Sequence, residues 1–129
     1  MIVDASALLA VAFGEPEAGR FADVITREPG ALMAAPSWVE AAITIARRGG
    51  AVALLDRLAD ELGITLRPFT PEHARAALSA FAAFGKGRHG AALNYGDCMT
   101  YAFARCEGQP LLFKGNDFTQ TDIEPALRG

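Results

Sequence analysis

Four short apolar segments along the chain are separated by longer segments in which apolar residues recur at helical spacing. The short segments have the length of strands, and the longer ones have the periodicity of amphipathic helices. Between 51 and 62, for example, Leu55, Leu58 and Leu62 fall on one side of a helix. We predict strands at 1–3, 32–35, 64–67 and 111–113, a short tail strand near Ile123, and helices at 5–13, 17–27, 36–48, 51–62, 72–84 and 94–107.

Proline and glycine mark the ends of several of these elements. Thr70-Pro71 is a typical N-cap and first-turn pair, and Gly49-Gly50 and Gly108 follow predicted helices. Strands that alternate with helices favour a parallel sheet covered by helices. No repeat or linker divides the chain, so we expect one domain over residues 1–129. In such sheets ligands bind at the carboxyl ends of the strands, so we expect the functional residues there.

Composition narrows the class of protein. Hydrophobic residues make up 51% of the chain and charged residues 21%, which is ample apolar material for a globular core. The net charge of −3 argues against a general nucleic-acid coat protein. No apolar run approaches the roughly 18 residues of a membrane span, and Asp4 stands where a signal peptide carries a basic residue. We therefore expect a cytoplasmic protein without membrane contact.

Cysteine and histidine are too few and too scattered to build a zinc site. Cys98 and Cys106 lie on one predicted helix, with Cα atoms about 12 Å apart, which is beyond disulfide reach. We expect both to be reduced thiols. His73 and His89 show no paired ligand spacing, and His73 is predicted to lie on the surface of a first helical turn.

Acidic side chains cluster at the predicted carboxyl edge of the sheet. Asp4 closes the first strand, Asp117 follows the fourth, Asp97 lies in the first turn of the last helix, and Glu40 lies one turn into the helix after the second strand. Carboxylates brought together repel one another, and a divalent cation relieves this repulsion. Oxygen ligands without histidine or cysteine favour Mg²⁺ or Mn²⁺, ions that support phosphoester hydrolysis.

Each of these acids also has a purely structural interpretation. Asp4 is a suitable N-cap, Asp97 suits the positive end of a helix dipole, and Glu40 fits a solvated helix face. Asn116 and Asp117 are common turn residues. The joint placement of four acids at one edge favours a site, because four independent coincidences are required otherwise.

Four sequence blocks resemble the bacterial PIN domains of the VapC toxin type: VDASALLA, PSWVEA, LNYGDCMTYAFA and LLFKGNDFTQTDI. The resemblance covers essentially the whole chain in the same order. It implies a PIN-like three-layer α/β/α fold with a central, mostly parallel sheet of four to five strands flanked by helices. It also implies a Mg²⁺-dependent endoribonuclease, with Mn²⁺ as a substitute, that hydrolyses RNA as the toxin of a type II toxin–antitoxin pair. The implied partners are a VapB-type antitoxin and a second copy in a homodimer.

The same resemblance implies roles for individual residues. It identifies four acids as catalytic and metal-binding residues: Asp4, Glu40, Asp97 and Asp117. Asp4 and Asp97 match the principal metal ligands. Ser6 and Asn116 match supporting residues, and the role of Asp122 in TQTDI stays open.

Basic residues are candidates for holding RNA phosphates. With the four site acids set aside, the net charge of −3 becomes +1. Lys86, Arg88 and His89 lie in the glycine-rich segment GKGRHG, and Lys114 precedes the GND turn. Glycine-rich loops can close over a substrate, whereas ordinary surface charge is the alternative for any single residue.

Two other functions fit parts of the pattern. A PIN-like module that binds RNA without cleaving it would share the fold and bind RNA without metal. A phosphoacceptor signalling domain also carries acids at strand ends, but it requires an aspartate after the third strand and an acid pair early in the chain. Here Arg67-Pro68 follows the third strand, and Asp4 has no acidic neighbour, so this function is disfavoured.

Overall fold

Helices and strands alternate along the chain in the predicted order in the computed structural model, which describes residues 1–127. The strands are β1 (Ile2–Val3), β2 (Leu32–Ala34), β3 (Thr65–Arg67) and β4 (Leu111–Leu112). The helices are α1 (Ala5–Ala12), α2 (Ala18–Arg27), α3 (Ala35–Arg47), α4 (Val52–Glu61), α5 (Pro71–Phe84) and α6 (Tyr95–Glu107).

The four strands form one parallel sheet in the order β3-β2-β1-β4. Ile2 pairs with Leu32 on one side and with Leu111 on the other, which places β1 inside the sheet. Alternate residues of a strand face opposite sides, and Val3 and Ile2 accordingly belong to two different hydrophobic cores. Helices α1–α4 cover the Val3 face, whereas α5 and α6 cover the Ile2 face. The three-layer α/β/α architecture is confirmed.

The tail does not form the predicted extra strand within residues 1–127. Near Ile123 the structure has a single bridge, between Leu111 and Pro125. Proline has no N–H to continue a ladder, and the preceding segment is bound to its own turns, so pairing ends after one bridge. Ile123 still packs into the core, with 8% of its surface exposed.

His73 is buried, which contradicts its predicted surface position. Its ring packs between Phe69 and Phe103, with centroid distances of 5.3 and 4.8 Å. Its Nδ1 accepts a hydrogen bond from the Thr70 backbone N–H at 2.9 Å, and its Nε2 lies 3.4 Å from Glu107 Oε2. The first turn of α5 packs against the end of α6, so a residue that looks peripheral in sequence becomes enclosed.

The cysteines behave as predicted, because Cys98 and Cys106 are both free. No helix within residues 1–127 is both long enough and apolar enough to cross a membrane.

Candidate active site

Asp4 lies at the carboxyl end of β1 and is the N-cap of α1. Its Oδ2 accepts hydrogen bonds from the Ser6 hydroxyl at 2.6 Å and from the Ser6 backbone N–H at 3.1 Å. The capping interpretation of Asp4 is therefore confirmed, and its role as a metal ligand stays a prediction, since a capping carboxylate can also face a site. The side chain is almost completely buried, with 7% of the residue exposed.

The surroundings of Asp4 connect three elements. The Ser6 hydroxyl accepts a hydrogen bond from the Lys114 backbone N–H at 3.0 Å, which joins α1 to the end of β4. Thr100 of α6 hydrogen-bonds to Asp4 and shares a 3.1 Å contact with the Ser37 hydroxyl of α3. Burial raises the pKa of Asp4 above its ordinary value, and the hydrogen bonds from Ser6 and Thr100 oppose that rise.

Asp97 occupies the third position of α6 and closes a capping box with Asn94. The Asn94 side chain accepts from the Asp97 N–H at 2.8 Å, and Asp97 Oδ2 accepts from the Asn94 N–H at 3.1 Å. Burial raises the pKa of Asp97 to about 6, with further contributions from Asp117 and Asp4 and an opposing one from the Asn94 bond. The carboxylate is thus locked in orientation and electrostatically coupled to other acids.

Glu40 reaches the site from the second turn of α3. A Cβ added to Gly96 would come within 3.0 Å of Glu40 Oε2, so the Glu40 carboxylate lies against the first turn of α6, beside Asp97. Burial, followed by the charges of Asp4, Asp97 and Asp117 in that order, raises the pKa of Glu40 to about 6. A side chain at position 96 would push the Glu40 carboxylate away by a few tenths of an ångström.

Asp117 is exposed in the turn that follows β4. This turn needs Gly115, whose φ of +95° lies in the region that disfavours side chains. Asp117 raises the pKa of both Glu40 and Asp97, so it lies near enough for charge repulsion. The structure therefore brings the four predicted acids to one edge of the sheet. Within residues 1–127, however, no three His, Cys, Asp or Glu side chains form a ready-made metal-binding group.

The two supporting residues differ in their contacts. Ser6 is tied directly to Asp4, as described above. Asn116 is exposed, and its backbone carbonyl accepts hydrogen bonds from the N–H and the hydroxyl of Thr119 at 3.2 and 2.8 Å. Asn116 thus shapes the turn that carries Asp117, and a direct role of its side chain stays a prediction.

The basic segment forms an exposed loop between α5 and α6, closed by a bridge between Gly85 and Leu93. Lys86, Arg88 and His89 are all exposed on it. A Cβ added to Gly90 would come within 2.8 Å of the Gln120 side chain, so this loop packs beside the segment that carries Asp117.

Lys114 is placed differently from the other basic candidates. Its ammonium forms ion pairs with Glu15 and with Glu17, the latter at 3.6 Å. Glu15 and Glu17 therefore compete with RNA for this ammonium. The sequence places Lys114 correctly beside the site but gives no sign of the two acidic partners, which come from the turn between α1 and α2.

Three residues around the acids were not predicted from the sequence: Asn94, Thr100 and Ser37. The spacing of Asn94 and Asp97 is that of a capping box, so this pair could have been found. Thr100 lies three residues after Asp97 and therefore shares its helix face, which is a weaker signal. Ser37 meets Thr100 only through the packing of α3 on α6, and no local pattern identifies it.

Comparison with known proteins identifies the family of the chain. Residues 1–124 match the family model described as the PIN domain. Ribonuclease VapC36 of Mycobacterium tuberculosis is 49% identical over 127 residues, which cover 96% of this chain and 91% of that protein. Ribonuclease VapC42 of the same species is 43% identical over 129 residues, covering 98% of each chain.

Solved structures share the fold at low sequence identity. Mycobacterium tuberculosis VapC20, described as a sarcin–ricin loop cleaving toxin, superposes with a TM-score of 0.74 at 17% identity, covering 99% of this chain and 98% of that one. A toxin–antitoxin complex from Klebsiella pneumoniae gives a TM-score of 0.73 at 14% identity, covering 94% and 92%. The four sequence blocks, the fold and these relatives agree, and the chain belongs to the PIN-domain family as a VapC-type member.

Proposed function

We propose that the protein is a divalent-metal-dependent endoribonuclease that acts in the cytoplasm as the toxin of a type II toxin–antitoxin pair. The observation that carries this proposal is the repulsion that Asp4, Asp97 and Asp117 exert on Glu40, and that Asp117 and Asp4 exert on Asp97, at one edge of the sheet. Relatives that are 42 to 49% identical over most of the chain are named VapC ribonucleases.

The four acids fit a hard divalent cation in charge and in donor type. The raised pKa values of Glu40 and Asp97 report burial and repulsion that a cation would relieve, and carboxylate oxygens are the ligands that Mg²⁺ and Mn²⁺ prefer. The proposal rests on this chemistry and not on a preformed cage. Asp4 and Asp97 are the principal candidate ligands, with Glu40 and Asp117 completing the set.

When bound, the cation would polarise a phosphoryl oxygen and lower the pKa of a water molecule. The chain supplies the orientation of the carboxylates. Ser6 and Thr100 fix the Asp4 carboxylate, and the Asn94 capping box fixes that of Asp97. Glu40 holds its carboxylate against the first turn of α6, beside Asp97, where it would complete the ligand set.

The exposed loop that carries Lys86, Arg88 and His89 supplies positive charge next to the acids. These side chains would hold phosphates on either side of the scissile bond, since RNA backbones bind to such cations regardless of sequence. Glu15 and Glu17 would compete with RNA phosphates for the ammonium of Lys114. The direct contribution of Lys114 visible in the structure is its backbone N–H to Ser6.

Metal removal tests the proposed function. Incubation with total cellular RNA should give discrete cleavage products with Mg²⁺ or Mn²⁺ and none with excess EDTA, because the proposed chemistry needs a divalent cation among the acids. Mapping the cut ends then identifies the substrate. Equal cleavage in EDTA would exclude the metal mechanism. Binding of RNA without cleavage in either condition would support a PIN-like module that is catalytically silent.

A VapB-type antitoxin is the expected partner, and one structural neighbour is a toxin–antitoxin complex. We expect the antitoxin to block the carboxylate edge by placing a basic side chain among the acids, where it would satisfy their charge as a cation does. Co-expression should rescue growth, and rising Mg²⁺ should weaken binding of the antitoxin's basic segment in a direct binding assay. Tight binding that leaves RNA cleavage unchanged would contradict this mode of inhibition.

A homodimer is also part of the proposal. Large apolar side chains stay exposed on α3 and α5: Val39, Ile43 and Leu78. Exposed apolar side chains that form one continuous patch are typical of protein–protein contact surfaces. We propose that a second copy of the chain buries these three.

A further inference from the structure

The segment 113–123, which we call the Asp117 loop, carries an acid of the site on irregular backbone. Several of its hydrogen bonds are local: Thr119 donates to the Asn116 carbonyl, and Thr121 donates to the Phe118 carbonyl from its N–H at 3.1 Å and from its hydroxyl at 2.7 Å. Local bonds of this kind shape a loop but do not fix its position relative to the rest of a site. Asp117 itself is exposed at the tip.

The start of the Asp117 loop is attached to α1 and to the turn that follows it. The Lys114 N–H donates to Ser6 at 3.0 Å, and the Lys114 ammonium pairs with Glu15 and Glu17. Phe118 anchors the middle of the loop in the core, with 2% of its surface exposed. At the far end Ile123 packs into the core, with 8% of its surface exposed, and the preceding residue, Asp122, makes an additional side-chain attachment.

Tyr101 provides that attachment. It lies on α6 one turn after Asp97, and residues four apart on a helix share a face. Its hydroxyl donates a hydrogen bond to Asp122 Oδ1. Burial and the bond to Asp122 raise the pKa of Tyr101 to about 12, so the hydroxyl stays protonated and donates throughout the neutral range.

We propose that Tyr101 and Asp122 are positioning residues that hold Asp117 in register with Asp97. Helix α6 then carries Asp97 on its first turn. On its second turn it carries Tyr101, which holds the loop of Asp117 through Asp122. Asp122 acts through the loop, and its carboxylate is engaged by Tyr101 instead of by a metal ion. This inference rests on the proposed function, because it assigns Asp117 a part in the same site.

Substitution of Tyr101 by phenylalanine removes the clamp alone. The Tyr101 ring packs on Phe84, with a centroid distance of 5.5 Å, and Phe84 packs edge-on to His89 at 5.2 Å. Tyr101→Phe keeps this aromatic contact, and with it the support of the basic loop. Tyr95→Phe is the matched control, because Tyr95 lies on the same helix with 80% of its surface exposed.

Asp122 offers a pair of variants that separates a clamp from a metal ligand. Asp122→Asn retains an oxygen that can accept from the Tyr101 hydroxyl but loses the charge, whereas Asp122→Ala loses both. A positioning role predicts nearly full activity for Asp122→Asn and a similar loss for Asp122→Ala and Tyr101→Phe. A ligand role predicts that Asp122→Asn is as damaging as Asp122→Ala.

We expect Tyr101→Phe and Asp122→Ala each to lower kcat for RNA cleavage about tenfold, since small misplacements of a reacting group have effects of this order. KM should change little. The two substitutions combined should be no worse than either alone, and neither should lower activity further in an Asp117→Asn background, because residues that act as a unit are not additive.

Two further readouts do not depend on catalysis. Amide hydrogen exchange in the metal-free protein should become faster within 115–122 in Tyr101→Phe and Asp122→Ala, and stay unchanged in Asp122→Asn and Tyr95→Phe. The rise in Tm on adding Mn²⁺ should be smaller in Tyr101→Phe than in wild type. Unchanged exchange in the Asp117 loop, or a full additional loss in the Asp117→Asn background, would overturn the inference. A wild type that cleaves no RNA would instead refute the proposed function, while hydrogen exchange would still decide whether the clamp exists.

Discussion

Replacing Asp97 by asparagine should lower RNA cleavage by about a hundredfold or more, since even indirect partners of a metal site are worth about 10- to 100-fold. Asparagine keeps the shape of the side chain and an oxygen that can accept from the Asn94 N–H, so the capping box survives. The substitution therefore removes charge and little else. The measurement is the initial rate of cleavage of a mapped RNA at saturating Mg²⁺.

Asp4→Asn should give a loss of similar size, because Asp4 is coupled to both Glu40 and Asp97. Asp60→Asn is a matched control, since it neutralises an exposed acid on α4. Thermal melts of all variants should show that each is folded. Residual activity of Asp97→Asn within a few-fold of wild type would return Asp97 to a purely structural role at the start of α6.

The order of elements could be predicted from sequence because its signals are local. Short apolar runs give the strands, and the 3.6-residue period with its proline and glycine boundaries gives the helices. Thr70 and Gly108 stand where predicted, as the N-cap of α5 and the C-cap of α6. The parallel sheet follows from strand–helix alternation, which leaves few other ways to bury both faces of each strand.

The structure departs from the predictions where the surroundings of a residue depend on residues far away in the sequence. His73 is enclosed by Phe69 and Phe103, and Lys114 is paired with Glu15 and Glu17. Each of these contacts depends on how elements pack, and no periodicity within one segment reports it. The absence of the predicted tail strand within residues 1–127 also depends on a residue outside the apolar segment. The apolar residue Ile123 predicts a strand, but pairing ends at the single bridge of Pro125 with Leu111.

The four acids could be found from sequence because parallel strands share one carboxyl edge, which converts positions far apart in the chain into neighbours. The charge repulsion among these acids could be identified only from the structure. Gly96 shows the difference: in the sequence it is one glycine among thirteen, whereas in the fold it lies against the Glu40 carboxylate. The Tyr101–Asp122 bond likewise joins two segments whose proximity no motif predicts.

The same charge crowding predicts that the metal-free protein is destabilised by its own site. The folded-state pKa values of Asp97 and Glu40 are raised to about 6, so the folded chain binds protons more tightly than the unfolded chain. Stability in EDTA should therefore rise as the pH falls from 7.5 towards 5, and should be lowest above pH 6, where both groups are ionised. Many proteins lose stability as the pH falls through this range, so a rise in Tm on acidification would be specific evidence for the crowded acids.

Asp97→Asn should consequently raise the Tm of the metal-free protein at pH 7.5 and flatten its rise on acidification. We expect a gain of about 1 kcal/mol, or about 3 °C, because solvent reaches the open edge and screens the repulsion. Mg²⁺ should stabilise the wild type more than the variant, since it binds the folded acids. An Asp97 that served only the helix dipole would give the opposite sign, with a loss of up to about 1 kcal/mol on neutralisation. Thermal melts of both proteins at pH 5.5 and 7.5, each with EDTA and with Mg²⁺, distinguish these outcomes: a variant less stable than wild type in EDTA, with no difference in its response to Mg²⁺, would contradict a strained carboxylate site.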